Sequence, residues 1–160
     1  MDADGLQELL RSTIDAIEAA GIPDEALATL KKPRFSAPKL VKEGRAWRLG
    51  VLLIDRQGQL YRTGEVTRAV EPLRGVANKS AEAEARREMR RAATRGKFPE
   101  GEVVNFGHSL IEVTAESDPV RLSDGEALVR WNASGHWRSL ASYLAERISL
   151  AQEYPGRSGL

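Results

Sequence analysis

Trp47-Arg48-Leu49-Gly50-Val51-Leu52-Leu53-Ile54, followed by Asp55-Arg56-Gln57-Gly58, is the stretch that decides the fold class. Trp47, Leu49, Val51 and Leu53 alternate onto one face, the period-two pattern of a strand, and Leu52 and Ile54 make the opposite face apolar at its far end. A strand apolar on both faces belongs near the centre of a sheet. Asp55 to Gly58 has the chemistry of a tight turn with glycine last. Leu60 to Thr67 is therefore expected to return as the second strand of a hairpin.

A second hairpin is signalled downstream. Val120-Arg121-Leu122 and Ala127-Leu128-Val129-Arg130-Trp131 flank Ser123-Asp124-Gly125, and Asp-Gly tolerates the positive φ of a two-residue hairpin turn. Between the hairpins, Val103 to Phe106 and Leu110 to Val113 read as two strands or one bent strand around Gly107. Leu6, Leu9, Leu10, Thr13, Ile14 and Ile17 form one helical stripe, with Asp4 as the expected cap and Gly21 as the stop. Pro23 suits the first turn of a short second helix through Leu27 to Leu30. Residues 31–45, with two prolines, four lysines and Gly44, read as a connector. Ser80 to Arg95 and Leu140 to Tyr154 read as the remaining helices. Hairpins without alternating crossover units predict an α+β fold, a mainly antiparallel sheet with helices packed on it. One domain over 1–160 is expected, with N-terminal helices in 1–31, an α+β body in 46–154 and a frayed tail in 155–160.

Composition narrows function mainly by exclusion. The chain has 160 residues, no cysteine and two histidines, which removes disulfides, thiolate zinc sites and cysteine nucleophiles. Neither His108 nor His136 has a second ligand at zinc-site spacing, so no metal and no cofactor are expected. Lys and Arg number 24 against 23 Asp and Glu, and that balance disfavours a dedicated nucleic-acid binder. The acidic N-terminus does not resemble a signal peptide, and Val51 to Ile54 is far short of a spanning segment. A cytoplasmic protein is predicted, with no membrane partner.

Charge is nevertheless concentrated. Residues 79–97 hold seven Lys and Arg against three Glu. Arg86, Arg87, Arg90, Arg91 and Arg95 could face phosphates. The simpler reading is a helix whose acids and bases complement its own dipole, with Glu82–Arg86 and Glu84–Arg87 pairs on its surface. Ala81, Ala85, Met89 and Ala92 would form its packing stripe. Polar residues in or beside apolar strands single out Arg62, Glu65, Arg74, Asn105 and His108 as ligand-binding candidates. Arg74 and Lys79, before a helix start, could also hold a small anion. Ser36-Ala37-Pro38-Lys39 satisfies Ser-x-x-Lys, in which a helix turn brings an amine to a serine nucleophile. No complete catalytic motif is present.

Trp47-Arg48-Leu49-Gly50-Val51-Leu52-Leu53, Leu60-Tyr61-Arg62-Thr63-Gly64, Val103-Val104-Asn105-Phe106-Gly107 and Tyr143-Leu144-Ala145-Glu146-Arg147 resemble a group of small actinobacterial proteins of unassigned function. Some of those proteins carry the name glutaminase, and the resemblance then implies an amide hydrolase in which Ser36 and Lys39 would be the catalytic pair. The residues themselves favour a non-catalytic binding domain. Its expected partner is a small polar or anionic ligand or another protein, a second copy of the chain included.

Overall fold

Leu6, Leu10, Thr13 and Ile17 fall one helical turn apart, and they are the residues that the first helix buries. The computed structural model describes residues 2–72 and 80–153. Their elements in chain order are α1 (Ala3–Ala20), β1 (Glu25–Lys31), β2 (Lys39–Leu49), β3 (Leu52–Ile54), β4 (Leu60–Arg62), β5 (Glu65–Arg68), α2 (Ala81–Arg95), β6 (Val103–Phe106), β7 (Ser109–Leu110), β8 (Val120–Ser123), β9 (Glu126–Arg130), β10 (Trp137–Ser139) and α3 (Leu140–Glu153). The sheets are mainly antiparallel, and the fold is α+β. The chain divides into two compact units, one of residues 1–24, 46–63 and 109–160, the other of residues 25–45 and 64–108.

In the first unit α1 is capped by Asp2, whose carboxylate accepts from the Gly5 N–H at 2.9 Å. The expected cap, Asp4, lies instead in the first turn, where its charge complements the helix dipole. Gly21, at φ 67°, closes the other end with its N–H on the carbonyls of Ile17 and Glu18. The stretch 47–54 is two strands and not one. Gly50 adopts φ 64°, and a two-residue turn at Gly50-Val51 pairs Leu49 with Leu52 and Trp47 with Ile54. Glycine at the first turn position is what a type II′ hairpin demands, and uninterrupted apolar alternation conceals it. All three residues of β3 are buried, as a strand flanked by β2 and β4 requires.

The turn at 55–58 forms as expected. The Asp55 carboxylate accepts from the Gln57 and Gln59 amides at 3.0 and 2.9 Å and from the Tyr61 hydroxyl at 2.9 Å. The returning strand is shorter than expected, because β4 ends at Arg62 and pairs onward with β7. A separate sheet runs β10-β9-β8. Its hairpin turns through Asp124 and Gly125, both at positive φ, as the sequence demands. The third strand, β10, lies in a stretch ahead of the last helix to which the sequence reading assigns no element. Trp47, Leu52, Ile54, Val129, Leu140 and Leu144 are among the fully buried side chains of this unit's core.

The second unit contains the main correction. Residues 25–31 form strand β1 and not a helix. Ala26-Leu27-Ala28 has helical propensity, but pairing in parallel with β6, Ala26 opposite Val104 and Leu27 opposite Asn105, buries the first four residues; tertiary burial overrides the local preference. The expected connector is likewise extended from Lys39 onward as β2. Strands here run β5-β6-β1-β2. Ser80 caps α2, accepting from the Ala83 N–H at 3.0 Å. The helix buries Ala92 and Ala93 and partly buries Met89, while Ala81 and Ala85 of the expected stripe are exposed. Leu40, Phe98, Val104 and Phe106 complete this core.

The Gly50 turn sits tightly against α3. The Val51 N–H donates to the Tyr143 hydroxyl at 3.0 Å, and a Cβ at Gly50 would overlap that hydroxyl and the Arg147 guanidinium. Gly50→Ala is expected to cost about 2–4 kcal/mol through strained φ and overlap. Tyr143→Phe, which only leaves the amide without its acceptor, is expected to cost about 1–2 kcal/mol. Urea unfolding followed by tryptophan fluorescence checks both, and equal stability of the three proteins would show that the turn is not under this constraint.

Candidate functional site

The register of the β8–β9 hairpin creates the most distinctive polar cluster of the first unit. A turn centred on Asp124-Gly125 pairs Val120 with Val129, so Pro119 and Arg130 are the next pair outward, and the Arg130 N–H donates to the Pro119 carbonyl at 2.7 Å. Asp118, joined to Pro119 by a cis peptide bond, then lies within reach of the Arg130 side chain. The guanidinium forks onto the carboxylate, with Nη2 at 2.7 Å from Oδ1 and Nε at 2.9 Å from Oδ2. Arg62, at the end of β4, donates through Nη2 to the Asp118 carbonyl at 3.1 Å and approaches its Oδ1 at 3.4 Å.

These side chains border a shallow groove of about 300 Å³ lined by Val51, Arg62, Thr63, Pro119, Arg130 and Trp131 among others. Trp131 leaves 41% of its surface exposed. Two arginines share one carboxylate, so the rim keeps a net positive charge. The hydrogen bond from Arg130, with the charges of Arg130, Arg62 and Arg121, holds the Asp118 carboxyl below its ordinary value, and Asp118 in turn raises Arg130. Neighbouring groups are already committed. Asn132 and His136 bond each other, Nδ2 to Nδ1 at 3.0 Å and Oδ1 from the His136 N–H at 3.1 Å, so His136 closes the loop before β10. Arg121 stacks 3.8 Å from the Trp137 ring centre.

A second concavity of the same unit, about 400 Å³, lies along α1 and the β3–β4 turn, where Leu10, Arg11, Ile14, Asp15, Arg56 and Gly58 contribute. Its Arg56 is held by Asp24 at 2.7 Å and stacks on Trp47 at 4.4 Å, which leaves it a structural role.

Of the residues singled out from sequence, only Arg62 lines the first groove. Glu65 is exposed on β5 of the second unit. Asn105 is fully buried there, and its amide donates to Glu25 Oε1 at 3.0 Å and to the Ala26 carbonyl at 3.1 Å; it joins β6 to β1. His108 has a 5% exposed side chain with Nε2 3.4 Å from Glu43 Oε2. Arg74 and Lys79 lie outside the described residues. Ser36 sits in an exposed bend and Lys39 opens a strand, so the helix turn that a Ser-x-x-Lys pair uses is not formed.

Two arginines of α2, Arg91 and Arg95, are engaged with its own acids. Arg91 bonds Glu84 and Glu88, each at 3.2 Å, and Arg95 bonds Glu88 at 3.2 Å. Arg86 and Arg90 remain exposed. Among the described residues no three His, Asp or Glu side chains group to hold a metal ion.

Asp118, Arg130 and Trp131 were not singled out from sequence, although hairpin register alone, counted outward from Asp124-Gly125, would have set an acid beside a base and an aromatic at the strand ends. Compared with models of known protein families, with curated proteins and with solved structures, the chain matches none of them.

A carboxyl whose value is lowered on folding contributes stability above its unfolded value, near 3.8, and that contribution is lost as pH falls through the lower folded value. Asp118→Asn is therefore expected to be less stable than the parent at neutral pH, with the difference shrinking below about pH 4. Thermal melts from pH 7 to 2.5 check this, and a difference that does not change with pH would remove the Asp118–Arg130 pair as its source.

Proposed function

We propose that the protein is a non-catalytic binding domain that takes a small anion carrying a flat apolar part, held in the groove of Arg62, Arg130 and Trp131. The observation that carries this reading is the sharing of the Asp118 carboxylate by two arginines. Each guanidinium has five N–H donors in a fixed plane, and Asp118 uses only part of that capacity while holding both planes in place. A carboxylate or phosphate can take the remaining donors, and the exposed indole of Trp131 offers a surface on which a ring can lie. The orientation of the donors before binding reduces the ordering that a ligand must impose.

Titration of the nitrogen-15-labelled protein with adenosine monophosphate, benzoate and inorganic phosphate tests the reading. The chain has three tryptophans, so three indole signals report. The Trp131 signal is expected to move with the ring-bearing anions and less with phosphate, while that of buried Trp47 stays. Arg62→Ala, which removes an exposed side chain, is expected to weaken binding about tenfold, the value of one charge-assisted hydrogen bond. An unmoved Trp131 signal at millimolar concentrations of all three probes would overturn the proposal.

A further inference from the structure

The two units divide the charge unequally. Residues 25–45 and 64–108 carry 15 Lys and Arg against 9 Asp and Glu, a net +6, and the rest of the chain carries 9 against 14, a net −5. Much of the positive excess lies in one hairpin. From residue 26 to residue 42 there are five cations, Lys31, Lys32, Arg34, Lys39 and Lys42, and no acid. At the end of this hairpin stands Phe35, 92% exposed, the most exposed large apolar side chain among the described residues.

The loop is presented by a bonded base. Thr29 on β1 donates to Glu43 on β2 at 2.9 Å, and Arg95 of α2 donates to the Pro38 carbonyl at 2.7 Å. Pro33 and Pro38 bracket the residues around Phe35 and restrict the backbone there. Residues 31–37 and Lys39 are all exposed, with Arg34 over the Phe35 ring at 5.4 Å. The result is a convex tip with one apolar wedge and cations on both arms.

We propose that the β1–β2 hairpin docks the second unit onto an anionic lipid surface, with Phe35 entering the interface and Lys31, Lys32, Arg34 and Lys39 meeting the headgroups. A lipid interface accepts a lone aromatic and rewards each nearby cation. A single nucleic-acid strand would instead use several aromatics along a groove; the hairpin has one, and Arg91 and Arg95 of the adjacent helix are paired with glutamates. No helix of the described residues is long and apolar enough to cross a membrane, and surface attachment needs none. The proposal departs from the sequence-based expectation of no membrane partner.

Sedimentation of the full chain with vesicles tests the proposal. Binding is expected to vesicles containing phosphatidylserine at low salt, to fall as salt is raised, and to be absent with phosphatidylcholine alone. Phe35→Ala is expected to weaken binding about tenfold, the share of a phenylalanine partly buried at the interface. Lys31→Gln with Lys32→Gln is expected to weaken it by about 25-fold, roughly fivefold for each cation. Because these side chains are exposed, circular dichroism should be unchanged, which separates loss of docking from loss of fold. Phe35→Trp should keep binding and show a blue-shifted emission on vesicles. No binding to phosphatidylserine vesicles would overturn the proposal. So would equal binding by Phe35→Ala, or tighter, Phe35-dependent binding to a single-stranded oligonucleotide.

Discussion

The first unit depends on the close approach of a backbone turn to a helix. Gly50 takes positive φ, which lets β2 reverse into β3 over two residues, and the freed Val51 amide finds its acceptor in the Tyr143 hydroxyl. A two-residue hairpin and a buried tyrosine are thus one device. The tyrosine ring fills core volume while its hydroxyl satisfies a main-chain donor. Trp47 repeats the arrangement two residues before β2 ends, its indole N–H donating to the Ile22 carbonyl at 3.1 Å. Both large aromatics close the polar accounts of neighbouring backbone, so the strand ends can be buried without loss.

Charge organisation follows a similar economy of pairing. Most arginines that look available in the sequence are held in the structure: Arg56 by Asp24 and Trp47, Arg91 and Arg95 by glutamates of their own helix, Arg138 by Glu146. Exposed pairs of this kind add little stability, but they decide which cations remain for a partner. Besides the exposed Arg86 and Arg90 of α2, two places among the described residues keep a surplus. One is the groove where Arg62 and Arg130 share Asp118, and the other is the acid-free stretch 26–42 around Phe35. Each combines positive charge with an exposed aromatic ring, and each belongs to a different unit.

How much was legible depended on whether the signal was local. The Asp124-Gly125 hairpin, the helix that begins near Ser80 and the α1 stripe follow from neighbouring residues, and all three form. The Gly50 break was hidden because Trp47, Leu49, Val51 and Leu53 can be read as one alternating face, whereas the two-residue reversal switches the parity and sets Leu52 and Ile54, opposite Leu49 and Trp47, on their face and Leu53 on the face of Arg48. β1 was hidden because Ala-Leu-Ala prefers a helix in isolation. The candidate site was mostly illegible. Asn105 and His108 attract attention as polar residues among apolar ones, yet Asn105 is spent on Glu25 and Ala26. Asp118 and Arg130 look like ordinary surface charges 12 positions apart. Phe35 stood inside a stretch read as a connector, where a lone aromatic carries no periodicity.

The sequence by itself determined the α+β class, the positions of the three helices, the turn chemistry and the exclusion of thiol chemistry, because these depend on composition and on contacts within a few residues. Tertiary structure alone decided that residues 25–31 are a strand, that β2 and β3 are two strands, and which charges are spoken for. Those outcomes rest on burial and pairing between residues distant in the chain, such as Ala26 with Val104 and Val51 with Tyr143, where the free energy of removing apolar surface from water exceeds the small local preferences that a sequence displays.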